Sequence, residues 1–79
     1  MNAKEIVLNV IMKNLMIDEI LDVNVPLMSL ENADSMTQMI IIREIEESIG
    51  QVFSFEELME IEVISDLIEL SKNKVNDSL

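Results

Sequence analysis

Cysteine and histidine do not occur in this 79-residue chain, and tryptophan and tyrosine are missing as well. Without thiol or imidazole there is no disulfide staple, no thiolate or imidazole metal ligand, no Cys or His nucleophile and no Ser/His/Asp triad. Bases are scarce: five Lys and Arg face sixteen Asp and Glu, for a net charge of −11. Phosphate neutralisation needs a basic face, so no nucleic acid is expected as a partner. No apolar run approaches the roughly 18 residues of a membrane span, so no membrane partner is expected either. Met1-Asn2-Ala3-Lys4-Glu5 lacks the basic region and cleavage site of a signal peptide. A cytoplasmic monomer is the default. With one glycine and one proline there are few places for hairpins, and the chain reads as all-α.

Hydrophobic residues make up 49% of the chain, well above what acidic disordered sequences carry, so a packed core is within reach. Phe53 and Phe55 are the only aromatics, which predicts a core of Ile, Leu, Val and Met. The length fits one domain over residues 1–79. A domain this small has a narrow stability margin, and helix packing and caps must supply it.

Apolar residues recur three and four apart at Ile6, Val7, Val10, Ile11, Leu15 and Met16, which predicts a helix over about 3–16. The stretch Ile17 to Asp34 is punctuated by Asp18, Asp22, Asn24, Pro26, Ser29, Asn32 and Asp34, and Pro26 keeps Val25 out of helical geometry. It reads as a long ordered loop pinned by Ile20, Leu21, Val25, Leu27 and Leu30, and a loop of that length in a small domain points to function. A second helix over 35–49 ends at Gly50. Ser54-Phe55-Glu56-Glu57 fits a capping box and opens a short helix over 55–60. A last helix covers 64–74, with Ile64, Leu67, Ile68 and Val75 turned inward and Lys72 and Lys74 at its negative end; residues 76–79 are expected to fray.

The second helix is the most informative. Gln38, Ile41, Ile42, Ile45 and Ile49 fall on one side and suffice for a core stripe. The other side carries Met36, Ile40, Arg43 and Glu47, with Met39 and Glu46 on a flank. Packing against the first helix or the loop would make Met36, Met39 and Ile40 ordinary core. Left exposed, they form an apolar strip ringed by acids, which suits docking. Between Asn14 and Ser71 one base, Arg43, stands against fourteen acids. That imbalance serves solubility and also attracts basic partner surfaces.

Ser35 sits where the loop becomes a helix. Ser35-Met36-Thr37-Gln38 satisfies a capping box, and a serine there is commonly just a cap. It is no ordinary nucleophile, because neither a histidine base nor a Gly-rich elbow accompanies it. If it reacts, another protein must activate it.

A long loop, then Asp34-Ser35-Met36, then an apolar and acidic helix in a small acidic chain, resembles the acyl carrier protein family. Val25-Pro26-Leu27 resembles the family's approach to its motif, and Asp34-Ser35-Met36 is similar to its Asp-Ser-Leu. Ile45-Glu46-Glu47 with Ile49 is similar to its Leu-Glu-Glu helix end. The segments Ser54 to Leu58 and Ile64 to Ile68 fit its third and last helices, so the resemblance covers nearly the whole chain. It implies a bundle of three long helices and one short one, with the long loop between the first two. It implies a 4′-phosphopantetheine arm on Ser35, attached as a phosphodiester by a phosphopantetheinyl transferase using coenzyme A and Mg²⁺. The arm would hold acyl or aminoacyl groups as thioesters for fatty-acid, polyketide or nonribosomal-peptide-type synthesis. Such a protein is a carrier with no catalysis of its own. Asp34 and Met36 would serve transferase recognition. Met36, Met39, Ile40, Glu46 and Glu47 would be read by loading and synthase enzymes with basic docking surfaces. The sequence departs from the pattern at Asn32, where the family has glycine, and at Leu30, where its leucine is one residue later. It departs also at Ile40, an acid in many fatty-acid carriers, and at Val63, usually Thr or Ser.

The alternative is a non-catalytic helical adaptor that binds a partner through its acidic, Met-rich face, with Ser35 only a cap. A Ca²⁺ loop starting at Asp22 fails, with Leu27 at its glycine position and Ala33 at its last ligand. Glu46-Glu47 and Glu56-Glu57 are adjacent on helices and point about 100° apart, so they form no catalytic carboxylate pair.

Overall fold

The structure is a computed structural model that describes residues 2–20 and 22–77, the Asp77 side chain excepted. Its elements are α1 (Ala3–Leu15), a 3₁₀ turn at Leu27–Ser29, α2 (Ser35–Ile49), α3 (Phe55–Met59) and α4 (Ile64–Asp77). Among the described residues there is no strand, and the all-α bundle read from the sequence is the fold. The α1–α2 loop is ordered as expected, with the addition of the 3₁₀ turn. The fourth helix reaches Asp77 rather than stopping at Lys74, so Asn76 and Asp77 are helical instead of frayed. Residues 78–79 and the proposed anchor Leu21 lie outside the described residues.

Each helix start has at least one first-turn amide taken up by a side chain or by the loop, which helps short helices hold. At α1, Asn2 Oδ1 accepts from the Glu5 amide at 2.9 Å, and Asn2 Nδ2 donates back to Glu5 Oε1 at 3.1 Å. At α3 the predicted capping box is present: the Glu57 amide donates to Ser54 Oγ at 3.1 Å and the Ser54 amide to Glu57 Oε1 at 2.8 Å. The start of α4, where Val63 offers no cap, is served by the loop. Val25 O accepts from the Ile64 amide at 3.0 Å and Val23 O from the Ser65 amide at 2.7 Å. Asp66 Oδ2 accepts from the amides of Glu62 and Val63 at 2.9 and 3.0 Å.

α1 is the central helix and packs on both α2 and α4. It buries Val7, Val10, Ile11 and Leu15 against Ile41 and Ile45 of α2 and Ile64, Leu67 and Ile68 of α4, with Leu27 and Phe53 closing the ends. Two expectations fail here. No described methionine is in the core: Met12 is half-buried, and Met16, Met28, Met36, Met39 and Met59 are exposed. Phe53 takes the place expected for them. Met16 faces water because α1 ends one residue before it, and it adopts the left-handed conformation that turns the chain away (φ 56°). The α2 stripe is also narrower than its periodicity suggested. Ile41 and Ile45 are fully buried, whereas Gln38, Ile42 and Ile49 are half-buried.

Candidate functional site

Ser35 is the first residue inside α2, not its cap. The cap is Asp34, extended (φ −142°, ψ 176°), with Oδ1 accepting the Thr37 amide at 2.7 Å. The cap expected of Ser35 therefore lies one residue earlier, at Asp34, whose carboxylate accepts a charge-assisted hydrogen bond from the helix start. The Ser35 side chain is exposed and plays no part in the cap. The Thr37 amide above all holds the Asp34 carboxyl below the usual aspartate range, and the Met36 amide adds a smaller pull in the same direction. Asp34 is thus a fixed negative charge beside the Ser35 hydroxyl.

Three residues before Ser35, the loop is tied back to α1. Asn32 has φ 70°, the left-handed conformation that asparagine tolerates better than other side chains. Its side chain then does what glycine cannot. Nδ2 donates to Leu15 O at 3.0 Å, satisfying a carbonyl at the open end of α1. The loop is closed across its base by that bond, and α2 begins three residues later. Leu30, half-buried, packs on the core one position before the family's usual leucine.

Below Ser35 runs an open groove of about 1270 Å³ between α2, the 3₁₀ turn, α3 and the start of α4. All the residues singled out on α2 line it: Ser35, Met36, Met39, Ile40, Glu46 and Glu47. Met36 and Met39 are each 73% exposed and Ile40 46%, so the apolar strip faces solvent and is not covered by α1 or the loop. The two glutamates differ. Glu46 is half-buried, and its Oε2 accepts the Phe53 amide at 2.8 Å, so it braces the segment that leads into α3. Glu47 is exposed and pairs with Arg43 at 3.1 Å. The opposite wall is lined by Leu27, Leu58, Ile61 and Leu67, of which Leu27 and Leu67 were read from the sequence only as core anchors. Their apolar character was visible, but only the tertiary arrangement separates a groove wall from core. Among the described residues no group of acidic side chains is placed to hold a metal ion.

An exposed hydroxyl at a helix start, with first-turn amides beside it and an apolar groove below, fits a phosphodiester-linked arm. Asp34 occupies the Thr37 amide and also draws on the Met36 amide, so the cap and the hydroxyl share one helix start. No curated protein and no solved structure gives a significant match to the chain. The family model described as the phosphopantetheine attachment site matches residues 5–71, a span that runs from the first turn of α1 to the middle of α4. The chain belongs to this family of acyl and peptidyl carrier proteins, non-catalytic domains that bear a covalently attached 4′-phosphopantetheine.

Proposed function

We propose that Ser35 is the attachment residue and that the chain carries acyl or aminoacyl intermediates between the enzymes of a fatty-acid, polyketide or nonribosomal-peptide-type pathway. The carrying observation is the division of labour at the head of α2. Asp34 caps the helix and leaves the Ser35 hydroxyl exposed for chemistry. In the transfer, Ser35 Oγ attacks the diphosphate of coenzyme A. One P–O bond forms as the diphosphate P–O bond breaks, the nucleotide half leaves, and the hydroxyl proton passes to a base of the transferase. The arm, once present, supplies a terminal thiol that holds the cargo as a thioester. This chain's residues do the rest. Asp34 and Met36 mark the site for the transferase, and the Met36, Met39 and Ile40 strip with Glu47 addresses partner enzymes. The groove walls shelter apolar cargo. Glu46 contributes indirectly, through the Phe53 amide.

Ile40 supports a docking face with less charge than that of many fatty-acid carriers, which favours partners that read apolar shape. The test is intact mass after incubation with coenzyme A, Mg²⁺ and a broad-specificity phosphopantetheinyl transferase, followed by fragmentation. A gain of one phosphopantetheine on Ser35 is expected. A gain on another serine, or none on a folded chain with several transferases, would sink the assignment.

A further inference from the structure

The chain has seven methionines and no cysteine, tryptophan, tyrosine or histidine, so thioether sulfur is its most readily oxidised group. The placement of that sulfur is one-sided. Among the described residues only Met12 is half-buried, while Met16, Met28, Met36, Met39 and Met59 are exposed. Ile, Leu, Val and Phe53 fill the core instead. An oxygen added to any of the five exposed sulfurs therefore leaves core packing untouched, whereas on a buried methionine the same change disrupts it. Three of the five, Met28, Met36 and Met39, line the groove below Ser35. Met36 directly follows Ser35, and Met39 lies one turn on along the same side of α2. Both are 73% exposed against 44% for Met28, so an oxidant in solution meets this pair first.

We infer that Met36 and Met39 are modification sites for hydrogen peroxide, and that their conversion to sulfoxides switches off the apolar strip of α2 while the fold stands. The step balances within the two reactants. A thioether lone pair attacks one peroxide oxygen, and the S–O bond forms as the O–O bond breaks. The departing hydroxide takes the proton of the transferred hydroxyl and leaves as water. Sulfur is oxidised by two electrons and the peroxide is reduced by two. Charge favours this class of oxidant, because the net −11 repels anionic oxidants and is indifferent to an uncharged one. The sulfoxide is a hydrogen-bond acceptor with no partner in an apolar interface, so its desolvation weighs on the docked state alone. Ile40 is four residues from Met36, so a sulfoxide at Met36 also interrupts the surface that Ile40 continues. Methionine sulfoxide reductases with a dithiol remove the oxygen as water, the dithiol becoming a disulfide, and this makes the change reversible. The inference rests on the α2 strip as a docking face and not on the arm at Ser35.

The test treats the chain without its arm, which then has no thiol, with hydrogen peroxide, removes the excess with catalase and maps sulfoxides by peptide mass. Met36 and Met39 are expected to oxidise at least about threefold faster than half-buried Met12, with the urea midpoint within about 0.5 M of the untreated chain. Two readouts follow the strip: binding of Nile red, an uncharged apolar dye, and the KM of a phosphopantetheinyl transferase. Both are expected to weaken at least about fivefold. Both recover after dithiothreitol with reductases for the two sulfoxide epimers. Met36→Leu with Met39→Leu keeps an apolar strip that peroxide does not oxidise, so its dye binding and KM are expected to match before and after treatment. Met16→Leu with Met59→Leu is expected to respond as wild type does. Oxidation of Met12 first, a midpoint lower by about 1 M or more, or both readouts within about twofold of the untreated chain overturn the inference. So does an undiminished peroxide response in the variant without Met36 and Met39. If the untreated chain accepts no arm from any transferase, the assignment of Ser35 fails separately, and the dye readout decides this inference.

Discussion

Replacing Ser35 with alanine separates a cap from an attachment residue, and the structure fixes what each would cost. A serine that caps a helix loses about 1 kcal/mol on truncation to alanine. Ser35 is exposed and already inside α2, and the Thr37 amide it would have served is bonded to Asp34. Alanine is also the better helix former at an interior position. Ser35→Ala is therefore expected to stay within about 0.5 kcal/mol of wild type, the range of an ordinary surface substitution. With a urea m-value of about 1 kcal/mol per molar for so small a domain, the unfolding midpoint moves by less than about 0.5 M. Loss of a real cap would move it by about 1 M. Urea melts followed by far-UV circular dichroism resolve the two. The same protein incubated with transferase and coenzyme A is expected to show no mass gain. A midpoint lower by about 1 M or more would refute the cap assignment to Asp34. A full phosphopantetheine gain in the variant would refute the attachment assignment.

Ile40→Lys and Met36→Glu keep the fold, since both side chains face water, and raise the KM of partner enzymes several-fold to about tenfold; unchanged transfer rates for both would remove the α2 strip from docking. Asn32→Gly keeps the left-handed backbone but loses the bond to Leu15 O, for a cost of about 0.5–1.5 kcal/mol. A wild-type melting midpoint in that variant would show that the bond contributes nothing. Four carboxylates are held below their ordinary values: Asp34 by the Thr37 amide, Glu44 by the hydrogen bond from Lys13, Glu57 by the Ser54 amide and then Lys74, and Asp66 by the Glu62 amide. Their folded pKa values lie below the unfolded 3.8 and 4.5, so the stability they give is complete above those values and is lost as pH falls through the folded ones. Urea midpoints measured down to pH 2.5 are expected to drop below about pH 4.5; a midpoint that rises steadily into acid would mean that relief of acid–acid repulsion outweighs these bonds.

The all-α fold, the helix order and the α3 capping box were legible because periodicity, Gly50 and the Ser54/Glu57 spacing are local signals. The apolar strip on α2 was legible for the same reason: Ile41 and Ile45 alone account for burial, and Met36 and Ile40 fall outside their arc. The errors come from competition between neighbours. Ser35 and Asp34 can both cap α2, and only the dihedral angles show which does. Methionine was expected inside because the chain has few aromatics, but branched Ile, Leu and Val fill the core and Phe53 folds under from a loop that carries no periodicity. Glu46 was read only as a docking acid on the flank of α2; the amide it accepts lies seven residues away across the Gly50 turn.

The long loop shows why a feature that normally argues against a compact fold is retained here. Its own backbone bonds are confined, among the described residues, to the turns between Pro26 and Ala33, yet it completes two helices at once. Its Val23 and Val25 carbonyls take the first amides of α4, where Val63 provides no side-chain cap. The Asn32 side-chain Nδ2 donates to Leu15 O, a last carbonyl of α1. Shortening the loop would leave one of those ends with unsatisfied polar groups, each of which costs about 1–3 kcal/mol when buried, a large fraction of what a domain this small has. The same two attachments place Asp34 and Ser35. α2 starts three residues after a bond to α1 and shares a groove with the start of α4, so the Ser35 hydroxyl is positioned by both long neighbours of the bundle. Its exposure is therefore not a sign of looseness. It is the exposed tip of a segment tied at both ends, the arrangement a modifying enzyme needs if it is to find one hydroxyl in one place.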